Sequence, residues 1–456
     1  MIKTLSRYYL KEIIVVLILL GYQNAAAQQT PYSHVKTAAV DTIFSSFEDD
    51  MPGCAVGVTD RGKLIFSKGY GSANLDYGIP LRPDSRFMIA SISKQFAAAS
   101  LLMLEQENQL DLDEDVGKYI PELPDYGYPI TARQIMHHTS GIRDMFNLLT
   151  IGDIGLDNTT TPGQAVTMIS RQLNLNFQPG NRYLYSNSGY FLISVLVKNI
   201  SGMSLREYTE KHFFEPLGMS STHFHDDTGM IVPNRVISYR PMEYGVGQFY
   251  RTNADKVGAR GLFTTIEDMA LWDRNFIENK TKLKNFNERM TQAGYTRRGH
   301  KINYASGLRL EWYRTLKTVG HAGNYMGFRT SYMRFPDHEL SVITFCNMSS
   351  INPTSYSREV ADLYLEEEFT NIYQTYAGQY RNEQSGTNQE VLFEDGDIYL
   401  KKGFNHKERL VWKSNNDFKA GHWDVQFKRN RFGQIRSLHI KTPQTGAITF
   451  KKVTEL

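Results

Sequence analysis

The chain has 456 residues, of which 41% are hydrophobic, 12% aromatic and 22% charged, so it is long enough for a large core and for roughly two to four domains. Because 51 basic residues are balanced by 48 acidic ones, the charge gives no indication of a nucleic-acid partner. Two cysteines, Cys54 and Cys346, exclude a scaffold of many disulfides and a zinc module of several cysteines.

Residues 1–27 have the pattern of a secretory signal peptide. Basic residues precede an apolar run over 13–22, and Ala25-Ala26-Ala27 gives a small-residue cleavage site. The alternative is a membrane anchor, but about ten apolar residues fall short of the roughly twenty that span a bilayer. The sequence therefore predicts export to the periplasm or the medium, with no stable membrane span after cleavage and in a compartment that permits disulfides.

Residues 28–370 form the first predicted domain. Strands at both of its ends enclose a mostly helical middle, which indicates one sheet built from the two ends with a helical insertion. The predicted elements are a helix that ends at Pro52-Gly53, a β-hairpin of 54–59 and 63–68, a helix over 91–110, short helices over 121–279, strands over 315–348 and a helix over 357–369.

Residues 371–456 form a second predicted domain, a small all-β unit. Six short β-rich runs separated by turns support it. It carries 14 Lys and Arg against 9 Asp and Glu. A basic module of this kind suits an anionic polymer such as a cell-wall component, and the simpler interpretation is a solvated packing domain.

The segment Ser91-Ile92-Ser93-Lys94 opens the helix predicted over 91–110. This spacing puts a hydroxyl and an amine one turn apart on one helix face, and a helix N-terminus favours a developing oxyanion. A second Ser-x-x-Lys, at 33–36, lacks a preceding apolar run. We interpret Ser91 as the candidate nucleophile and the second copy as accidental.

Two further segments carry groups that suit acyl transfer. Tyr185-Ser186-Asn187 lies in a loop bounded by turn residues, where a phenol near a lysine can act as a base and an amide can hold a carbonyl. His321-Ala322-Gly323 lies on a predicted strand. Taken singly, each has an ordinary structural interpretation, as a half-buried loop aromatic and as a structural histidine.

The order of these three motifs resembles the serine β-lactamase and D-Ala-D-Ala peptidase superfamily, and more closely the class C β-lactamases, DD-carboxypeptidases and D-aminopeptidases. Segments 87–90, 131–142 and 261–265 support the resemblance, which covers about residues 35 to 369. It implies an α/β (α+β) transpeptidase-like fold, an antiparallel sheet flanked by helices with a helical subdomain. The C-terminal all-β domain would be lipocalin-like.

The resemblance implies Ser91 as the acylated nucleophile, with Lys94 and Tyr185 sharing the general-base work. Burial or a cationic neighbour would have to lower the lysine pKa for this role. Water would then hydrolyse the acyl-enzyme, and neither a cofactor nor a metal is expected. The backbone N–H groups of Ser91 and Asn324 would form the oxyanion hole. The implied substrate-binding residues are Asn187, His321, Gly323 and Asn324.

The third motif departs from the family pattern in a way that affects the substrate. It is commonly Lys-Thr-Gly or Lys-Ser-Gly, whose hydroxyl helps to bind a substrate carboxylate, whereas Ala322 has no hydroxyl. This favours an aminopeptidase, amidase or esterase over a β-lactamase or a D-Ala-D-Ala carboxypeptidase. Arg260 would restore anion binding if its loop lines the cleft, and is otherwise a surface arginine.

A rival motif, His223-Phe224-His225-Asp226-Asp227, nearly matches a metallo-hydrolase signature, but Thr228 stands where its last histidine should be. Two imidazole ligands fall short of the three that a catalytic zinc needs. A polar loop is therefore the preferred interpretation.

The resemblance also places Cys54 and Cys346 on neighbouring antiparallel strands, so we expect the two thiols to be close and able to form a bridge.

The sequence therefore predicts an exported serine hydrolase that acts on amide or ester bonds, in D-amino-acid peptides or related small substrates, some of them derived from the cell wall. A slowly acylating penicillin-binding receptor without turnover is a second hypothesis, because the same residues serve both. A third is ligand binding by the β domain, which predicts unchanged function in a Ser91→Ala protein. The sequence does not indicate the oligomeric state.

Overall fold

The computed structural model describes residues 31–155, 160–242, 248–249, 256–403 and 406–453, and the predicted signal peptide lies outside them. The strands are β1 Cys54–Asp60, β2 Lys63–Tyr70, β3 Ser72–Asn74, β4 Ile79–Pro80, β5 Phe87–Met88, β6 His223–Phe224, β7 Tyr239–Arg240, β8 Gln248–Phe249, β9 Leu262–Thr264, β10 Arg309–Tyr313, β11 Leu316–Tyr325, β12 Phe328–Phe335, β13 Leu340–Cys346, β14 Gly378–Arg381, β15 Asn388–Glu394, β16 Asp397–Lys401, β17 Lys407–Arg409, β18 Val411–Ser414, β19 Asp417–Ala420, β20 Trp423–Arg429, β21 Ile435–Lys441 and β22 Ile448–Lys452.

The α-helices are α1 Pro31–Ile43, α2 Lys94–Gln106, α3 Ala132–Met136, α4 Met145–Ile151, α5 Pro162–Ser170, α6 Asn187–Ser201, α7 Leu205–Thr209, α8 Glu215–Leu217, α9 Ile266–Glu278, α10 Phe286–Thr291, α11 Pro353–Tyr364 and α12 Glu366–Tyr376. Within these described ranges, each helix is too short or too polar to cross a bilayer. Helix α1 belongs to a separate compact unit that ends at Ser45. The helix itself ends at Ile43, before the predicted stop at Pro52-Gly53.

The main sheet has six antiparallel strands in the order β10-β11-β12-β13-β1-β2. The prediction of one sheet built from both ends of a domain is therefore confirmed. Strand β1 is buried along almost its whole length, and a Cβ at Gly57 would lie 2.4 Å from Ile266 Cγ2. The absence of a side chain at Gly57 therefore lets α9 pack closely on β1.

The first and last strands of this region are joined covalently as well as by hydrogen bonds. Cys54 and Cys346 are register partners in the β1–β13 pair and form a disulfide across 292 residues of sequence. The expected proximity of the two thiols is confirmed.

Two predicted helices differ from the observed ones. The helix expected over 91–110 is a 3₁₀ turn over Ala90–Ser93 followed by α2, and it ends at Gln106, because Asn108 has a left-handed φ of 56°. The helix expected over 357–369 is two helices, α11 and α12, separated at Leu365. The predicted domain boundary at 370 therefore falls inside α12.

The C-terminal strands form one nine-stranded antiparallel sheet, in the order β17-β16-β15-β14-β22-β21-β20-β19-β18. A single residue, Leu410, separates its two edge strands in sequence, so the sheet curls into a nearly closed barrel. Its core includes Tyr376, Tyr380, Phe418 and Phe427, all buried. The all-β prediction is confirmed, and large aromatic side chains fill the barrel interior.

Candidate active site

Ser91 lies in the 3₁₀ turn that leads into α2 rather than in the α-helix itself. The preceding residue, Ala90, has a φ of 49°, a strained value for a residue with a Cβ. The Thr330 hydroxyl on β12 donates to the Ile89 carbonyl at 3.0 Å. A Cβ at Gly323 would lie 2.4 Å from that carbonyl, so only glycine lets β11 lie against the nucleophile turn.

Lys94 is fully buried, and its Nζ is 3.1 Å from Ser91 Oγ. Two neutral oxygens also lie within hydrogen-bond distance of Nζ, Asn187 Oδ1 at 3.0 Å and the Ala259 carbonyl at 2.7 Å. Burial lowers the Lys94 pKa well below its ordinary value, and Asp144 opposes this shift. A neutral amine donates to both oxygens and keeps its lone pair for the Ser91 hydroxyl.

Tyr185 completes a three-residue constellation, because its hydroxyl is 3.0 Å from Ser91 Oγ. Lys94 Nζ also lies 4.9 Å from the centre of the Tyr185 ring. Burial raises the Tyr185 pKa, so the phenol keeps its proton in the unliganded protein. The pKa shifts make Lys94 the better base and Tyr185 a donor to Ser91.

Asn187 is oriented by a residue that the sequence analysis did not identify. Asp144 Oδ2 accepts from the Asn187 backbone N–H at 2.6 Å and from Nδ2 at 3.0 Å, which leaves Oδ1 for Lys94. Asp144 is also the N-cap of α4, accepting from the N–H groups of Phe146 and Asn147. An aspartate before a helix is a readable N-cap signal, but its partner in α6 is 43 residues away.

His321 lies on β11, as predicted, and is buried. Its Nδ1 is 2.6 Å from the Ala322 carbonyl and its Nε2 is 3.1 Å from the Tyr304 hydroxyl. A carbonyl only accepts, so Nδ1 carries the proton and Tyr304 donates to Nε2. Burial lowers the His321 pKa to about 3, so the third-motif position holds a neutral ring.

A cavity of about 430 Å³ is lined by the predicted site residues other than the buried Lys94, and also by Arg309, which the sequence analysis missed. The Arg260 guanidinium lies between the rings of Phe146 and Tyr325, at 3.9 and 3.7 Å from their centres, so its loop does line the cleft. The lining residues are Ser91, Phe146, Tyr185, Asn187, Ala259, Arg260, Arg309, His321, Ala322, Gly323, Asn324 and Tyr325.

The rival histidine motif lies apart from this cavity. His223 Nε2 is 3.3 Å from His225 Nδ1, and Phe263 packs against both rings. Across the described part of the chain, no three His, Cys, Asp or Glu side chains are grouped so as to hold a metal ion.

Comparisons with known proteins identify related chains. The D-aminopeptidase of Gluconobacter oxydans (strain 621H) is 27% identical over 316 residues, which are 69% of this chain and 58% of that protein. The chain thus covers less than two thirds of that relative. Penicillin-binding protein 4* of Bacillus subtilis (strain 168) is 24% identical over 411 residues, or 80% of this chain and 87% of that protein.

Solved structures share the fold. An octameric penicillin-binding protein homologue from Pyrococcus abyssi has a TM-score of 0.62 at 21% identity, covering 92% of this chain and 99% of that one. The D-amino acid amidase from Ochrobactrum anthropi SV3, complexed with L-phenylalanine amide, also has a TM-score of 0.62, at 18% identity, covering 73% and 99%. The beta-lactamase family model matches residues 40–364. Since that match covers well over half of the sequence, the chain belongs to the serine β-lactamase and D-Ala-D-Ala peptidase superfamily.

Proposed function

We propose that this protein is an exported serine hydrolase that forms an acyl-serine intermediate and cleaves amide or ester bonds, with D-amino-acid peptides and amides as its substrate class. One observation carries the proposal: Ser91 Oγ lies at hydrogen-bond distance from both Lys94 Nζ and the Tyr185 hydroxyl. Nucleophile, base and a third orienting group within reach of one another are the arrangement that covalent catalysis needs.

The geometry supports the following reaction. Lys94 takes the Ser91 proton as Oγ bonds to the substrate carbonyl carbon, and the backbone N–H groups of Ser91 and Asn324 stabilise the resulting oxyanion. The tetrahedral intermediate collapses when the bond to the leaving group breaks, and that group receives the proton from Lys94 through the Tyr185 hydroxyl. Water then repeats the sequence, releasing the acid and restoring Ser91.

The substrate class rests on relatives and on the third motif. D-aminopeptidases are among the relatives, and a D-amino acid amidase is among the structures that share the fold. Ala322 has no hydroxyl to offer a substrate carboxylate, which supports a substrate that ends in an amide or ester.

The cationic lining of the cleft favours a second candidate function, a β-lactamase or D-Ala-D-Ala carboxypeptidase. Arg260 and Arg309 both line the 430 Å³ cavity, and its lining residues include no Asp or Glu. Two guanidinium groups would attract a substrate carboxylate in place of the missing hydroxyl. Among the acylating alternatives, a slow penicillin-binding receptor uses the same residues and differs by the absence of turnover.

The disulfide supports the export part of the proposal. A bridge between Cys54 and Cys346 persists in oxidising compartments such as the periplasm or the extracellular medium. The signal peptide at 1–27 would direct the chain there.

Intact mass spectrometry tests the proposal directly. The wild type and Ser91→Ala are incubated separately with a fluorophosphonate and with penicillin, and turnover of D-amino-acid p-nitroanilides is measured in parallel. We expect fluorophosphonate labelling and turnover in the wild type and neither in Ser91→Ala. A stable penicillin adduct without turnover of any substrate would favour the receptor. Turnover that survives in Ser91→Ala would contradict the assigned nucleophile.

A further inference from the structure

His138 is a buried histidine close to the candidate catalytic residues, with no role in the chemistry described above. It follows α3 and has a φ of 57°, a left-handed value that histidine and asparagine adopt more readily than most residues. Only 1% of its surface is exposed.

Two hydrogen bonds connect His138 to the segment that carries Tyr185. The Leu184 N–H donates to the His138 carbonyl at 2.9 Å, and the Ser186 N–H donates to His138 Nδ1 at 3.1 Å. These donors lie on either side of Tyr185 in sequence. The next N–H, that of Asn187, donates to Asp144, so this backbone is held on both sides of the tyrosine.

The His138 imidazole also packs against the ring of Tyr185. The ring centres of His138 and Tyr185 are 4.3 Å apart with an interplanar angle of 38°. The rings of Tyr190 and Tyr304 lie 5.1 and 4.6 Å from the His138 ring. The His138 ring against which Tyr185 packs is therefore itself part of a cluster of buried aromatic side chains.

The hydrogen bond from Ser186 fixes the tautomer of His138. Because Nδ1 accepts an N–H, the proton of the neutral ring is on Nε2, a buried atom for which the described residues supply no hydrogen-bond partner. Burial, with Lys94 next in importance, lowers the His138 pKa well below its ordinary value. A protonated ring would lose the acceptor that holds Ser186.

We propose that His138 is a positioning residue that fixes the Tyr185 hydroxyl against Ser91 Oγ, by accepting the Ser186 N–H at Nδ1 and by packing against the tyrosine ring. The inference rests on the proposed acyl-serine chemistry. It predicts that the Nδ1 acceptor controls the rate of acylation and leaves substrate binding nearly unchanged, because the cavity-lining residues that His138 does not position, such as Arg260, Arg309 and His321, keep their places.

Asparagine and leucine variants separate the acceptor from the shape of the side chain. Asparagine puts an oxygen where Nδ1 lies and tolerates the left-handed backbone, whereas leucine has nearly the same shape and accepts no hydrogen bond. We expect His138→Leu to lower the acylation rate constant by about 10²-fold, the loss typical of a misplaced catalytic group, with KM changed little. His138→Asn should stay within a few-fold of the wild type.

A glutamine variant covers the case in which His138→Leu does not fold. Glutamine offers an acceptor one bond further out, so His138→Gln should be slow where His138→Asn is fast. His137→Leu is the matched control, since the neighbouring imidazole is also buried and lies against Gly294, where an added Cβ would be 2.6 Å from His137 Cγ. Melting temperatures are measured for all variants.

The outcomes distinguish this inference from the proposed function. Failure of wild-type Ser91 to react with fluorophosphonate would contradict the function itself. With a reactive wild type, equal acylation rates in the asparagine, glutamine and leucine variants would overturn the role of His138, as would a loss in His137→Leu as large as that in His138→Leu. Rescue by asparagine alone, without a matching rise in melting temperature, supports the role.

Discussion

Lys94 and Arg334 are both buried basic side chains, but they have different partners. Lys94 Nζ lies near a hydroxyl, an amide oxygen and a backbone carbonyl, all neutral acceptors. Arg334 Nε donates to Asp273 Oδ1 at 2.8 Å, in an ion pair whose side chains are 4% and 1% exposed. Asp273 also accepts from the hydroxyls of Thr59, Tyr332 and Ser341.

The difference shows how equal burial serves two purposes. Among these neutral acceptors, burial lowers the Lys94 pKa well below its ordinary value, which favours the neutral amine whose lone pair can take a proton. The arginine cannot release its proton and has a carboxylate partner, so it contributes to stability through a network with three further donors. The Lys94 region therefore provides reactivity, and the Arg334 region holds β12, β13 and α9 together.

The largest expected effect on activity comes from replacing Lys94 with arginine, the buried basic residue of the Arg334 region. Lys94→Arg should lower the rate of acylation by about 10²–10⁴-fold, because a guanidinium cannot act as a base at any accessible pH. The rate is measured from fluorophosphonate labelling. Lys118→Arg, at an exposed lysine in an ion pair with Glu114, is the control. An active Lys94→Arg protein would show that the reaction needs no neutral base here.

Breaking the Arg334–Asp273 ion pair should lower the stability of the fold and leave the reactivity of Ser91 unchanged. Arg334→Met should lower the free energy of unfolding by about 3–5 kcal/mol, since Asp273 is left buried without its cation. Urea titration measures this value, and labelling of the folded fraction should match the wild type. Lys317→Met removes an exposed pair with Asp337 and should change stability little. Similar losses of unfolding free energy in Arg334→Met and Lys317→Met would mean that burial does not determine how much an ion pair contributes to stability.

The Cys54–Cys346 disulfide restrains β13 at its C-terminal end, whereas the Asp273 network contacts β13 through Ser341 near its start. Replacing both cysteines, in Cys54→Ala/Cys346→Ala, should lower the free energy of unfolding by about 2–5 kcal/mol, with labelling of Ser91 retained. Thermal melts with and without reductant provide the check, because reduced wild type should match the double variant. If reductant leaves the wild-type melt unchanged, the bridge does not contribute.

A smaller effect, on the pH dependence of stability, is expected from His223, a buried histidine outside the Lys94 and Arg334 regions. Burial, followed by the neighbouring His225, lowers the His223 pKa to about 4, against about 6.5 in the unfolded chain. Between these values the unfolded state binds a proton that the folded state does not, so stability should fall with falling pH, by at most about 1.4 kcal/mol per pH unit from this group.

His223→Gln should reduce that slope between pH 6.5 and 4, measured by urea unfolding. His300→Gln, at an exposed histidine, should leave the slope as in the wild type. Identical slopes in all three proteins would mean that His223 is protonated in the folded state.

The sequence was informative where chemistry or pairing follows a local pattern. The Ser91–Lys94 spacing predicted their contact. The β-rich runs predicted the main-sheet strands except β10, and six of the nine C-terminal strands, missing β14, β17 and β19. The order of the motifs, through a family resemblance, brought Tyr185 and His321 to the same site. The two cysteines were placed together on the same basis.

The missing parts of the site depend on contacts that no local pattern specifies. His138 and Asp144 contact residues 48 and 43 positions away. His138 lies in segment 131–142, which supported the family resemblance without giving this histidine a role, and Asp144 lies just beyond that segment. The helix predicted from residue 91 starts later because the preceding segment is held by strands: the Ile89 N–H donates to the Leu262 carbonyl and Thr330 binds the Ile89 carbonyl. Tertiary contacts overrode helix propensity there.

The strand order of the main sheet has a consequence for how the chain folds. The β1–β2 hairpin is made early in synthesis, but β1 finds its other neighbour, β13, only after nearly 300 further residues have emerged. The hairpin therefore presents an unpaired edge throughout that interval, and such edges invite pairing with other chains. Closure of the sheet is a non-local step and slow by nature, so expression at low temperature or with chaperones should raise the yield of folded protein.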